Sequence, residues 1–244
     1  MNRILLFFLF CLALQSCTSD DAQSLSTEGS RLRKVVLDFG NDSESIRLEY
    51  DGNKQVRQIT PQSTISYHFS GNLITKLGFG NDWQHFEYDD QNRLLRTYYE
   101  EDGNDYETLF THHSDGTVDC EEKKNGDVIE TRRLYFANGE LSQKDISRLN
   151  TDTQQWESAT LHFTYDDQHA PDQGVGRWIF NYLKSLGKES YSMNHNVLTV
   201  SHHSNGEEVN YGYQYVYNSQ GYPITMTAVS GGTTSTWVTH YFYE

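Results

Sequence analysis

One recurring unit limits what this chain can fold into. A stretch of alternating polar and apolar residues ends in an aromatic, a short turn of Asp, Asn, Ser or Gly follows, and a second alternating stretch begins. The instances are LEYDGNKQVRQIT (48–60), YHFSGNLITKLGF (67–79), FEYDDQNRLLRTY (86–98), FTHHSDGTVDCEE (110–122), LYFANGELSQKDI (134–146) and YVYNSQGYPITMT (215–227). Tyr50, Phe69 and Tyr88 stand 19 residues apart, and later units are longer. A period of two turns one face inward and the other to solvent. Asn, Asp and Gly accept the positive φ values that tight hairpin turns require. Only three prolines occur, Pro61, Pro171 and Pro223, so the ladders run uninterrupted. A lone hairpin cannot bury its own face, so successive units must pair edge to edge. The expectation is a single all-β domain over residues 31–244: an antiparallel meander of repeated hairpins forming an extended, curved open sheet.

The units YDGNKQVRQI and YDDQNRLLRTY resemble the tyrosine-aspartate repeats of Rhs-type shell proteins. The arrangement as a whole is similar to Bacteroidota lipoproteins that carry a chain of such hairpins. Rhs repeats close into a cocoon from many more units, so the resemblance implies an open sheet for a chain of this length. It implies no catalytic residues. Some units depart from the pattern: His113 stands at the aromatic position in one, and Ser70, Ala137 or Asn218 replaces Asp in others.

One segment breaks the period of two. In PDQGVGRWIFNYLKSLGKE, from Pro171, the residues Val175, Trp178, Ile179, Tyr182, Leu183 and Leu186 follow helical spacing. An amphipathic helix near 174–187, packed on one face of the sheet, is expected. Asp172 suits its start and Gly187 its end.

The stretch YGYQYVY then asks what covers its rings. Tyr211, Tyr213, Tyr215 and Tyr217 share one face of a strand, and TWVTHYFYE offers Trp237, Tyr241 and Tyr243 on one face of another. These seven residues are the candidate ligand-binding set. Three readings stand: the helix covers the rings as core, the rings form an exposed patch that stacks on sugars or a peptide, or they are cross-strand ladders that stiffen the sheet.

The N-terminal residues set an address. In MNRILLFFLFCLALQSC, a positive residue, Arg3, precedes an apolar run from Ile4 to Leu14, too short to span a bilayer. The run ends in Leu14, Gln15, Ser16 and Cys17, which resembles a bacterial lipobox. The resemblance implies a signal peptide over 1–16 and diacylglycerol on the Cys17 thiol, with residues 17–30 as a polar, flexible tether. Thr18, Ser19, Asp20 and Asp21 resemble the signal that sends Bacteroidota lipoproteins to the outer face of the outer membrane. Cys11 and Cys17 belong to this region, which leaves Cys120 without a partner for a disulfide.

Composition excludes whole classes of partner. The net charge is −15, and the leader carries only Arg3, so the mature chain is more acidic still. Such a surface repels nucleic acid. Adjacent strand residues point to opposite faces, so neither His112 with His113 nor His202 with His203 clamps one metal. The acidic turn EEDGNDYE lacks the calcium-loop pattern. There is no GxSxG elbow, phosphate loop or dinucleotide fingerprint. No cofactor and no metal is expected. The expected function is a surface-exposed, lipid-anchored, non-catalytic module that binds a glycan or peptide through its aromatic face. A structural or assembly component of an outer-membrane complex, in contact with envelope proteins, is the first alternative, and a glycan hydrolase is the second.

Overall fold

The structure of the protein, a computed structural model, describes residues 31–171, 194–230 and 233–244. Sixteen strands occur among them: β1 (Leu32–Asp38), β2 (Ser43–Asp51), β3 (Lys54–Ile59), β4 (Thr64–Ser70), β5 (Leu73–Phe79), β6 (Asp82–Tyr88), β7 (Leu94–Glu101) and β8 (Asn104–His112), then β9 (Val118–Lys124), β10 (Asp127–Ala137), β11 (Glu140–Asn150), β12 (Gln155–His169), β13 (His195–Ser204), β14 (Glu207–Tyr217), β15 (Pro223–Ser230) and β16 (Thr233–Tyr243). Each pairs antiparallel with its neighbours in sequence, and β1 also pairs with β16, so the sheet is a closed barrel.

Closure overturns the expected open sheet. At the seam Val35 stands opposite Tyr241 and Leu37 opposite Thr239. Arg31 and Glu244 exchange backbone hydrogen bonds just beyond it. An open meander exposes two unpaired edges, and closure removes both. The expected helix at 174–187 lies outside the described residues, and no helix occurs among them. The premise that a helix must cover the apolar face is also corrected, because a closed sheet turns that face onto itself.

Register shows which residues point inward. Leu48 pairs with Gln58, Tyr67 with Leu77, Phe86 with Thr97 and Leu134 with Lys144. These residues are buried, whereas their chain neighbours Arg47, Arg57, His68 and Arg133 are exposed. A round barrel of sixteen strands has room for an aqueous channel. Here inward side chains collapse into two apolar clusters. Ile65, Leu77, Leu94, Phe110 and Leu134 belong to one, built by β4–β11. Val35, Leu37, Leu48, Met226 and Tyr241 belong to the other, built by β1, β2, β15 and β16 with Tyr213 and Tyr215 of β14 against it. Charge also enters the interior. Arg132 is 4% exposed and its Nε lies 2.7 Å from Glu130 Oε1, while Glu122 takes a second of its nitrogens. Buried charges of this kind persist only when paired.

The aromatic that closes each alternating stretch has a structural task. The register shifts at Tyr50, Phe69, Tyr88, Phe136, Tyr165 and Tyr217, each late in an even-numbered strand. Such a bulge interrupts the ladder and leaves backbone groups in need of partners. Tyrosine hydroxyls at this rim supply donors. Tyr50 donates to Leu32 O at 2.7 Å, Tyr88 to Ile74 O at 2.8 Å, Tyr165 to Leu141 O at 2.6 Å, Tyr215 to Val197 O at 3.0 Å and Tyr243 to Pro223 O at 2.7 Å. In β8 it is His112, not His113, that takes this place, with Nε2 2.8 Å from Leu94 O. His113 turns outward to Asp119.

Candidate functional site: an aromatic pocket at one rim

The seven aromatics named from sequence all belong to the inward face, and the barrel divides them. The β14 register places Tyr211 opposite Ser230, Tyr213 opposite Ala228 and Tyr215 opposite Met226. Strand β15 therefore lies between the tyrosine stripe and the strand that carries Trp237, Tyr241 and Tyr243. Inward curvature still brings the upper parts of both together. Tyr211, Tyr213, Trp237 and Tyr241 line one cavity of about 360 Å³ at the rim that carries the β1–β2, β13–β14 and β15–β16 connections. A cavity of this size admits a small ligand or one large side chain.

The rest of the lining was not foreseen. Val35, Leu37 and Phe39 of the first strand, with Met226 and Ala228 of β15, complete an apolar wall. Alternation in LRKVVLDF could have placed Val35, Leu37 and Phe39 on one face, but nothing local says that this strand closes against the last one. Trp237 is 57% exposed and Tyr211 42%, so both sit at the entrance. The Phe39 ring meets the Trp237 indole edge-on, centroids 5.3 Å apart. Tyr241 is buried, with its hydroxyl 4.0 Å from Met226 Sδ. Burial pushes the Tyr213 phenol above its ordinary range, so it stays a neutral hydroxyl. The one carboxylate in the lining is Asp38.

The remaining three candidates serve the scaffold. Tyr215 is raised strongly by burial and is committed to Val197 O. Tyr217 donates to Asp166 Oδ2, and burial, reinforced by that carboxylate, raises its phenol. Asp166 also accepts from the backbone N–H and side-chain amide of Asn196. Tyr243 is committed to Pro223 O. Sequence pattern puts all seven, six tyrosines and one tryptophan, on the same footing because it carries no depth along a strand.

No family model and no curated protein matches the chain. Solved structures do. A porin-like protein from Bacteroides vulgatus ATCC 8482 superposes with a TM-score of 0.65 at 13% identity, over 88% of this chain and 99% of the other. A porin-like protein from Bacteroides uniformis ATCC 8492 gives 0.58 at 12% identity, over 90% and 100%. The fold is similar to theirs.

A transmembrane barrel turns apolar residues to lipid and polar ones to its lumen. This barrel does the reverse over much of its wall. Outward residues of β2–β10 form an ion-pair lattice: Arg57 to Glu49 at 3.0 Å, Arg96 to Glu87 at 3.7 Å and to Glu107, and Arg133 to both oxygens of Asp119 at 2.6 and 2.7 Å. Further round, the outward residues of β12 and β13 include Ser158, Thr160, His162, Thr164, Thr199, Ser201 and His203, with one exposed indole, Trp156, among them.

Other residues weighed from sequence have plain roles. His202 faces inward and His203 outward, as adjacent strand residues must. The acidic turn is a tight hairpin with Asp102 and Gly103 at positive φ, and Asn104 Nδ2 donates to Glu101 O and Asp102 O. Cys120 is 2% exposed, and burial pushes its thiol up to about 12, which removes it as a nucleophile.

Proposed function

We propose that this is a non-catalytic binding lipoprotein of the outer membrane. The Cys17 lipid holds it, the barrel stands in water, and an apolar group of its ligand enters the pocket of Tyr211, Tyr213, Trp237 and Tyr241. The observation that carries the reading is an open apolar cavity in the inner wall with a half-exposed indole at its entrance. The lining favours the apolar side chain of a peptide over a polyol, because it offers few polar partners for hydroxyl groups. Glycoside hydrolysis needs two facing carboxylates, and Asp38 stands alone in this lining.

The charged wall supports the place given to the barrel. Each Arg or Lys turned to lipid at mid-bilayer costs about 2–4 kcal/mol, so an outward lattice of ion pairs opposes insertion. The tether and acyl chains then supply the attachment. Surface display rests on the acidic residues that follow Cys17.

A displayed-peptide library is the direct test. Selected peptides should bind the wild-type protein and lose at least tenfold in affinity against Trp237→Ala. Ala228→Trp, which fills the cavity from below, should lose binding as well. A folded wild-type protein that selects no peptide, or binding untouched by both variants, overturns the pocket. Labelled palmitate should enter the protein in its host and fail to enter Cys17→Ser.

A further inference from the structure

A second aromatic group lies on the opposite side of the wall, facing solvent. Outward residues of β4–β7 bring His68, Trp83, His85 and Tyr98 side by side, by the pairings Gly78 to Trp83, Lys76 to His85 and His85 to Tyr98. Trp83 is 38% exposed. Its six-membered ring lies down over Gly78: a Cβ built on that glycine would stand 3.0 Å from Trp83 Cζ3 and 3.1 Å from Cη2. Any larger residue at 78 would lift the ring. The glycine therefore lets the indole lie on the sheet, with His68 edge-on at 5.0 Å and the Lys76 ammonium 5.9 Å from the ring centroid. Beside it the His85 and Tyr98 rings are stacked 4.7 Å apart at 7°. The Arg96 guanidinium sits 4.5 Å from the Tyr98 centroid.

Trp83, His85 and Tyr98 open into a cavity of about 730 Å³ at the rim, bordered by the β5–β6, β7–β8 and β9–β10 turns at Asn81, Asp102 and Gly126. Carboxylates of Asp82, Glu100, Asp105 and Glu107 also border it, and Arg96 is the cation of the lining.

We propose that this surface binds a neutral oligosaccharide, with Trp83 as the platform and Tyr98, stacked on His85 beside Arg96, as its polar edge. Flat aromatic faces, electron-rich at the centre, meet the C–H face of a pyranose ring. Carboxylate oxygens accept from sugar hydroxyls, and Arg96 donates to ring and hydroxyl oxygens. The surplus of negative charge turns away uronates and other acidic glycans, which fixes the ligand as neutral. The site shares no residue with the inner pocket, so it stands or falls apart from the peptide reading.

Affinity electrophoresis of the lipidated protein in detergent micelles tests it, with soluble starch, mannan and xylan in the gel and polygalacturonate as the acidic counterpart. At least one neutral polysaccharide should retard the wild-type protein, and Trp237→Ala should be retarded equally. Trp83→Ala and Tyr98→Ala should each weaken retardation tenfold or more, while circular dichroism confirms the barrel. Gly78→Val, which displaces the indole without deleting it, should weaken it too. Migration unchanged by every neutral polysaccharide, retardation by polygalacturonate instead, or retardation that survives loss of both Trp83 and Tyr98 would overturn the proposal.

Discussion

Single side chains here are tuned by what they bond, and two of them make measurable cases. Tyr215 donates to Val197 O from a buried position. Tyr215→Phe keeps the ring and strands the carbonyl, so it should destabilise the fold by about 1–2 kcal/mol, read as a shift in the urea midpoint. Asp119 on the outer wall is held down to about 2, first by the hydrogen bond from Arg133, with His113 adding to it. The folded carboxyl is thus a stronger acid than the unfolded one, near 4. Its contribution is complete above about pH 4 and fades as pH falls towards 2, because the unfolded chain takes up the proton first. Asp119→Asn should lower the urea midpoint at pH 7 slightly and flatten its decline between pH 4 and pH 2. An equally steep acid decline in that variant would show that the pair contributes nothing. The effect is kept small by exposure, since the Arg133 side chain is 49% and the Asp119 side chain 37% exposed.

At the scale of the strand and its turn, much of the molecule could be read in advance. Alternation located the hairpins because one buried face demands a period of two. Turn residues marked their ends because positive φ selects them: Gly52, Gly71, Asn92, Asn138, Gly139 and Gly221 all have it. Gly52, at φ 58, connects β2 to β3 with open space around it. Gly52→Val meets no clash and fails only on backbone conformation, so a loss of about 1–2 kcal/mol is expected in chemical denaturation. The recurring aromatic was legible as a marker and not as a donor, since its partner carbonyl lies on the preceding strand and no local signal reports a bulge. Depth was illegible for the same reason. Tyr211 and Tyr217 look alike in YGYQYVY, yet one borders an open pocket and the other is tied to Asp166, 51 residues earlier in the chain. Leu134, fully buried on β10, shows what an inward position is worth. Leu134→Ala should cost about 2–5 kcal/mol, measurable in the same unfolding series.

For the molecule as a whole, closure was the feature that alternation could not announce. An open ribbon and a barrel share the same local pattern, and the choice rests on one pairing between the first strand and the last. The consequence for solubility is specific. Expressed from residue 31 onward, the barrel should remain monomeric in buffer without detergent and should add no conductance to a planar bilayer. Precipitation that detergent alone reverses, or stepwise conductance, would refute the reading of the charged wall. Joining the ends has a further implication. Arg31 and Glu244 already exchange backbone hydrogen bonds, 3.0 Å from Glu244 N to Arg31 O. A short peptide between residues 244 and 31 would make the chain a ring, and the ring could be cut at Gly103 or Gly206 instead. A circular permutant opened there should refold to the same sixteen-strand cylinder, because in a closed meander no strand is first.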